Sequence, residues 1–485
     1  MLGKRKKDEN KVFLEFIGNN ANGVSGSCIY GKFYDEYLER DFQFLLECGI
    51  KQDGSPLDNY LANMKMLNKI DAKNIDVLFQ LDNHADHSLL VPALVKNGFN
   101  GTIFVIDEKR FVLKRLWVDC EHINKEEVKM LVSKGVKAKP YYELKDIDKT
   151  MGKLEVVELE QEYYITPNVF FTFLPNRHNL GSCSIVLNFR DKNNNIHKLY
   201  YSSDLGNVKF DKYFINQKQE PISNANVCIY ESTYSAKNKA QVNKALRRKE
   251  LYELKQMLKY TLLEKKGSVL FPAFSFDRTP NLLVILKEIL DEDEDLRNIK
   301  VFCTGKLTNN LLSDYGLICK GRDKEKIDEI LQWKNLNRVD NYKLIPSVYN
   351  KAEPRIILAS SGFCTNGYVV YFLEHMLSHS ENTIIFSGYS SPDSPATKIK
   401  QKEEWIKLGE SRVKMNCDVM EMYSFSSHIM RDDLIDFIMK TNMDKCILVH
   451  GESREELAED LKEEFSKKGK TTKVLVPKIN SSLLF

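Results

Sequence analysis

Residues 75–87 read Ile75-Asp76-Val77-Leu78-Phe79-Gln80-Leu81-Asp82-Asn83-His84-Ala85-Asp86-His87. An apolar run of strand length is followed at once by four side chains able to ligate a metal: Asp82, His84, Asp86 and His87. Such crowding suits a dinuclear centre, because Zn²⁺ accepts imidazole and carboxylate donors together. The competing reading is a polar surface loop. The rest of the chain decides between them by whether it supplies the missing donors.

It does so in a consistent setting. Of nine histidines, five (His84, His87, His178, His428 and His450) stand in polar turns directly after apolar runs. Asp204 closes the run 198–204, and Glu231 lies at the end of 226–232. Strand ends converge on one edge of a sheet, so donors far apart in sequence meet there. His122, His197, His375 and His379 lack this setting and read as surface or core-satisfied histidines.

Strands are expected at 11–17, 43–46, 75–81, 170–174, 184–189, 198–204 and 226–232, with a helix over 89–97. This crowding predicts a sheet-rich α/β layer structure. The texture then changes. Residues 237–266 carry ten Lys/Arg at helical spacing, and apolar runs at 268–274, 300–305, 354–362 and 382–390 alternate with helical patterns such as 281–290. Alternation of this kind predicts a parallel, doubly wound unit.

A chain of 485 residues exceeds one ordinary core and predicts two domains. Its 42% hydrophobic and 29% charged residues fit a globular protein. A net charge of +3 confines any nucleic-acid surface to a local patch. The ten cysteines are scattered singly, without a CxxC pair, which predicts reduced, buried thiols in a reducing, cytoplasmic setting. The basic start, Met1 to Lys7, runs into Asp8-Glu9-Asn10 with no apolar stretch, so neither a signal peptide nor a membrane span is expected.

Taken in order, these residues resemble the β-CASP branch of the metallo-β-lactamase superfamily. Gly26-Ser27-Cys28 with Glu47-Cys48-Gly49 looks like the first strand pair and motif 1, and residues 82–87 look like motif 2. His178 with Leu180-Gly181-Ser182 resembles motif 3, and Asp204-Leu205-Gly206 resembles motif 4. Glu231-Ser232-Thr233-Tyr234, Phe425-Ser426-Ser427-His428 and Val449-His450-Gly451-Glu452 resemble motifs A, B and C. Pro272-Ala273-Phe274 with Arg278, and Ala359-Ser360-Ser361-Gly362, resemble segments of the family's inserted domain.

The resemblance implies an α/β fold: a metallo-β-lactamase αββα sandwich over 1–232 and 386–485, with a β-CASP α/β domain inserted at 233–385. It implies two Zn²⁺ per chain, one held by Asp82, His84 and His178, the other by Asp86, His87 and His450, with Asp204 bridging. Mn²⁺ or Mg²⁺ could take one position. The implied activity is hydrolysis of RNA phosphodiester bonds by a hydroxide activated between the metals. His428 would be the general acid, Glu231 would orient it, and Asp86 would complete the catalytic set. Arg278 and Ser426 would contact substrate, since Arg grips phosphate through a planar fork.

Four positions depart from the pattern. Asp82 stands where the first histidine of motif 2 is expected, Glu47 where Asp is expected, Leu89 in place of Gly, and Met430 in place of Asp. Asp82 makes its group more anionic and harder, which favours Mn²⁺ or Mg²⁺ there. Glu47 keeps its charge but reaches one methylene further. Histidine at 450 points to RNA more than DNA. The motif B sequence and the short stretch after motif C lean towards endonucleolytic cleavage. Single-stranded RNA is the expected partner, with DNA as the alternative nucleic acid and a homodimer compatible with the resemblance. A scaffold that binds RNA or a partner protein without cleaving it is the rival reading, and a small-ester metallohydrolase is disfavoured by motifs A and B.

Overall fold

A computed structural model describes residues 11–215, 217–237, 242–349, 352–388, 390–391 and 394–485. The basic N-terminal residues to Asn10, residues 238–241 of the basic segment and Tyr389 of the 382–390 run lie outside the described residues. The chain forms two compact units. The first comprises residues 1–208, 215–239 and 427–485, and the second residues 209–214 and 240–426.

The first unit is a four-layer αββα sandwich. One seven-stranded sheet has the order 482–484, 13–16, 29–35, 40–46, 77–79, 102–105, 154–156. The other runs 473–475, 442–449, 224–231, 196–201, 183–190, 169–175, 162–166. Alternate side chains of a strand face opposite ways, and the sequence exploits this. Phe79 and Val77 enter the core between the sheets with Phe44, Phe171 and Phe189. Leu78 between them faces an outer layer, where Leu67, Leu113, Trp117 and Ile147 of helices 56–69, 109–133 and 144–151 cover the first sheet. On the second sheet Ile229 points inward, whereas Cys228 and Tyr230 meet Leu434, Phe437, Leu457 and Leu461 of helices 431–439 and 454–467. These are the layers of the metallo-β-lactamase sandwich.

The second unit is a parallel six-stranded sheet in the order 336–339, 300–304, 355–359, 269–272, 383–386, 418–421. Helix 368–376 places Phe372, Leu373 and Met376 on Leu270, Ile357 and Ile384. Sequence placed the return to the first domain at 386. The strand 418–421 instead pairs in parallel with 383–386, so this unit runs on to Ser426. The helices at 56–69, 109–133, 306–318 and 321–331 and the hairpin 405–414 are additions to the sequence reading. No helix among the described residues is long and apolar enough to cross a membrane.

Candidate metal and catalytic site

Parallel pairing aligns the C-terminal ends of strands 196–201, 224–231 and 442–449 in one sheet and of 40–46 and 77–79 in the other, and each ends in a polar turn. The turn 82–88 is fixed by backbone bonds from its neighbours. Ser27 N donates to Asp86 O at 2.7 Å, Cys48 N to His87 O at 3.0 Å and Ile50 N to Ala85 O at 3.1 Å. Glu47, Arg177, Ser203 and His450, all beside the site, have φ between 50° and 61°. Left-handed backbone at non-glycine residues costs energy and persists where the surroundings enforce it.

Donor atoms of Asp82, His84 and His178 lie within 4.8 Å of one another, and so do those of Asp86, His87 and His450. Asp204 falls between. Its Oδ2 is 3.1 Å from His87 Nε2 and 3.8 Å from His178 Nε2, and its Oδ1 is 3.4 Å from His450 Nδ1. His450 Nε2 is 3.0 Å from Asp86 Oδ2. All seven side chains expected as metal donors thus meet at one edge of the first unit.

A second tier of contacts orients these groups. Glu47, fully buried, accepts from Tyr201 Oη at 2.7 Å and Ser203 Oγ at 2.6 Å, and its Oε2 is 2.7 Å from His87 Nδ1. The longer side chain therefore still reaches the imidazole. Asn179 Nδ2 donates to Asp82 Oδ2 at 2.5 Å, and Thr233 Oγ1 is 3.0 Å from His450 Nδ1. Carboxylate or hydroxyl contacts to the distal nitrogen fix ring orientation at metal sites. Tyr201, Ser203, Asn179 and Thr233 were not singled out from sequence. The only signal of the first three is position, one to three residues from a donor, and Thr233 has only its place in the 231–234 segment.

Glu231 and His428 pair with each other against this cluster, a ligand atom of His428 lying within 4.8 Å of those of His178 and Asp204, and one of Glu231 within 4.8 Å of those of Asp204 and His450. Glu231 is 1% exposed and accepts from Leu205 N at 2.8 Å and Thr233 N at 3.1 Å. Its Oε1 is 3.2 Å from His428 Nδ1. A bridge between Gly206 and His428, with Ile429 N donating to Leu205 O at 2.9 Å, ties the 428 segment to the Asp204 turn. The His428 side chain is 22% exposed, which leaves its face open to solvent.

The electrostatics fit a cation-binding site. Burial opposes ionisation of Asp82, yet His84, His178 and His87 outweigh it and hold the carboxyl well below the usual range. Asp204 is likewise held low against burial by His450 and His87, and Asp86 by His87 and His450. Burial would lower His450, but Asp204 and Asp86 push it up to about 9. His87 is raised well above its ordinary value, burial being overcome by Glu47, Asp204 and Asp86. His178 is down to about 4 through burial and the neighbouring His428. In the metal-free chain, imidazolium protons thus neutralise carboxylates that cations would otherwise neutralise. Asp204 Oδ1 is buried without a hydrogen-bond donor. The donor chemistry, imidazole with carboxylate, is that of zinc and similar divalent ions.

The expected substrate contacts lie in the second unit. Arg278 Nη1 donates to the carbonyls of Ser387 and Phe425, so this guanidinium clamps two backbone segments beside Ser426. Arg247 stacks 3.7 Å from the Phe425 ring centroid. In the basic segment, Lys255, Lys259 and Lys265 pair with Asp293, Asp295 and Asp418. Part of its charge is therefore internally neutralised. Of the remaining histidines, His197 pairs with Asp191 at 3.2 Å and His375 stacks on Tyr371, away from the site as expected.

Comparison with known proteins agrees with this geometry. The Beta-Casp domain model matches residues 279–399, and the model for the Zn-dependent metallo-hydrolase RNA specificity domain matches 412–477. The chain is 25% identical over 484 residues to cleavage and polyadenylation specificity factor subunit 3-I of Arabidopsis thaliana, covering 97% of this chain and 64% of that protein. It is 25% identical to the transcription termination factor FttA of Methanocaldococcus jannaschii, covering 91% and 67% of the two chains. A ribonuclease of Thermus thermophilus is 23% identical, with 85% and 89% covered. A crystal structure of a protein of unknown function from Enterococcus faecalis superposes with a TM-score of 0.52 at 11% identity, over 98% of this chain and all of the other, which speaks to the fold. Two matched domain models, relatives aligned along nearly the whole chain and a donor cluster at the sandwich edge lead to one conclusion: the chain carries a Beta-Casp domain and a Zn-dependent metallo-hydrolase RNA specificity domain on a metallo-β-lactamase-type fold.

Proposed function

We propose that this protein is a metal-dependent ribonuclease that hydrolyses internal phosphodiester bonds of single-stranded RNA. The observation carrying the reading is the convergence of seven imidazole and carboxylate donors beside a Glu231–His428 pair. Support for RNA comes from the matched RNA specificity domain and from relatives named as a ribonuclease or as a cleavage and polyadenylation specificity factor subunit. Those relatives, at 25% identity or less and in part longer than this chain, leave substrate and mode of cleavage as part of the proposal.

Asp82, His84 and His178 would hold one ion and Asp86, His87 and His450 the other, with Asp204 between. Two Zn²⁺ suit the set, and Asp82 makes its group the one open to Mn²⁺ or Mg²⁺. Divalent cations held there supply Lewis-acid stabilisation and an activated water. The chain's own residues then manage the leaving group. As a water oxygen bonds to phosphorus and the ester P–O bond breaks, the departing oxygen needs a proton to leave as a hydroxyl. His428 Nε2 is placed to give it, because Nδ1 is committed to Glu231. Glu231, locked by two backbone amides, sets the ring's orientation. Asp86, held by His450 Nε2, would take part in positioning the attacking water.

Labelled single-stranded RNA and DNA incubated with the wild type and with His428→Ala test the reading. Cleavage of RNA, abolished by chelator and reduced at least about 10²-fold in the variant with metal content unchanged, is the expected outcome. Preference for DNA would reassign the substrate. Absence of cleavage by fully metal-loaded protein would favour a binding scaffold.

A further inference from the structure

The adjacent parallel strands 77–79 and 102–105 end at the same sheet edge, and each delivers a charged residue there. The first leads to Asp82, and the second, through Ile106, to Lys109 at the start of helix 109–133. Lys109 is fully buried. An ammonium is rarely enclosed unless opposite charge accompanies it. Its Nζ donates to the Leu81 carbonyl at 2.6 Å, the residue immediately before Asp82. That carbonyl also accepts from Cys183 N at 3.0 Å. The Lys109 stem packs beneath the motif 3 turn, 3.4 Å from where a Cβ on Gly181 would stand. The carboxylates whose charge acts on it are those of Asp82, Glu47 and Glu108.

An anionic donor where a neutral imidazole would serve and a buried ammonium under the same turn thus stand one residue apart, the ammonium bound to the carbonyl just before Asp82. We infer that Lys109 is a charge-balancing, positioning residue for Asp82. It offsets the carboxylate's extra negative charge, so that Asp82, His84 and His178 offer a divalent cation the net charge of a neutral-donor set. The inference rests on the metal reading of this site proposed above.

The test is metal affinity of the intact chain, measured by chelator competition with Zn²⁺ and with Mn²⁺. The proteins are the wild type, Lys109→Met, Asp82→His and the double variant, with thermal unfolding of each metal-free form in parallel. One unit charge a few ångströms from a divalent ion in a partly screened interior changes affinity by about tenfold or more. Lys109→Met is therefore expected to tighten binding about tenfold, Asp82→His to weaken it comparably, and the double variant to return near wild type. Metal-free Lys109→Met should melt lower than the double variant, because only the single variant leaves the buried Asp82 carboxylate to its imidazole and amide partners without the nearby ammonium. Folding of the double variant where Lys109→Met alone does not fold would carry the same meaning. Looser binding on Lys109→Met in both backgrounds, or failure to fold in both, would overturn the inference and reduce Lys109 to a packing role. A wild type that binds neither ion would overturn the metal reading itself, and this inference with it.

Discussion

Gly49 has no room for a side chain. A Cβ there would lie 1.7 Å from Asp86 O and 2.4 Å from His87 N, inside the turn that carries Asp82, His84, Asp86 and His87. Gly49→Ala must push residues 86–87 away, so retained metal after dialysis should fall at least about tenfold and thermal stability should drop with it; unchanged metal content would show that the turn can yield. Glu231→Gln asks a different question. The amide keeps an acceptor for Leu205 N but loses the charge beside His428. Single-turnover RNA cleavage should slow by about 10²-fold while bound metal stays constant. A third expectation follows from protonation. His87 is held above its ordinary range and His450 at about 9, so both carry protons at neutral pH in the metal-free chain. Neutral imidazole is the ligand form, and metal uptake should release protons, visible as buffer-dependent heats in calorimetry. Heats independent of buffer would count against these two rings as ligands. The donors themselves were legible in sequence because each follows an apolar run. The residues that steer them were not. Asn179 and Thr233 look like any polar turn residue, and Lys109 like any surface lysine, until the fold encloses it.

Helix 109–133 went unread in sequence for a related reason. Its buried stripe, Val112, Leu113, Trp117, Cys120, Val128 and Leu131, is interrupted by buried Lys109, Glu121 and Asn124. Exposed Phe111, Val118 and Val132 blur the stripe from the other side. A helical period is visible only when the two faces differ in composition. The strands were easier, because 183–190 and 224–231 each contain an unbroken apolar stretch, Ile185 to Leu187 and Val227 to Tyr230. On this helix burial raises Asp119 to about 6, with His122 a weaker opposing influence. The fold therefore favours the neutral carboxyl. Ionisation costs stability increasingly as pH rises from the unfolded value near 4 through about 6. Asp119→Asn should stabilise the protein by about 1 kcal/mol above pH ~7 and by nothing below pH ~4, as read by chemical denaturation at both pH values. Equal effects at the two would remove the carboxyl's charge as the cause.

At the scale of the whole chain, all ten cysteines are free and buried, in keeping with the scattered spacing that argued against a disulfide framework. A thiol reagent should label almost none of them in the native protein and all ten after denaturation; rapid native labelling would signal local opening. The alternation of strands and helices announced the parallel sheet of the second unit, yet the point where the chain leaves that unit was misplaced. The cause is the strand 418–421, which is short, amphipathic and only half buried, and therefore carries no apolar run to betray it. Residues 445–447, just before His450, are paired on one side with 227–229 and on the other with 473–475, so the backbone that delivers this imidazole leaves no open edge there for a foreign strand to add to.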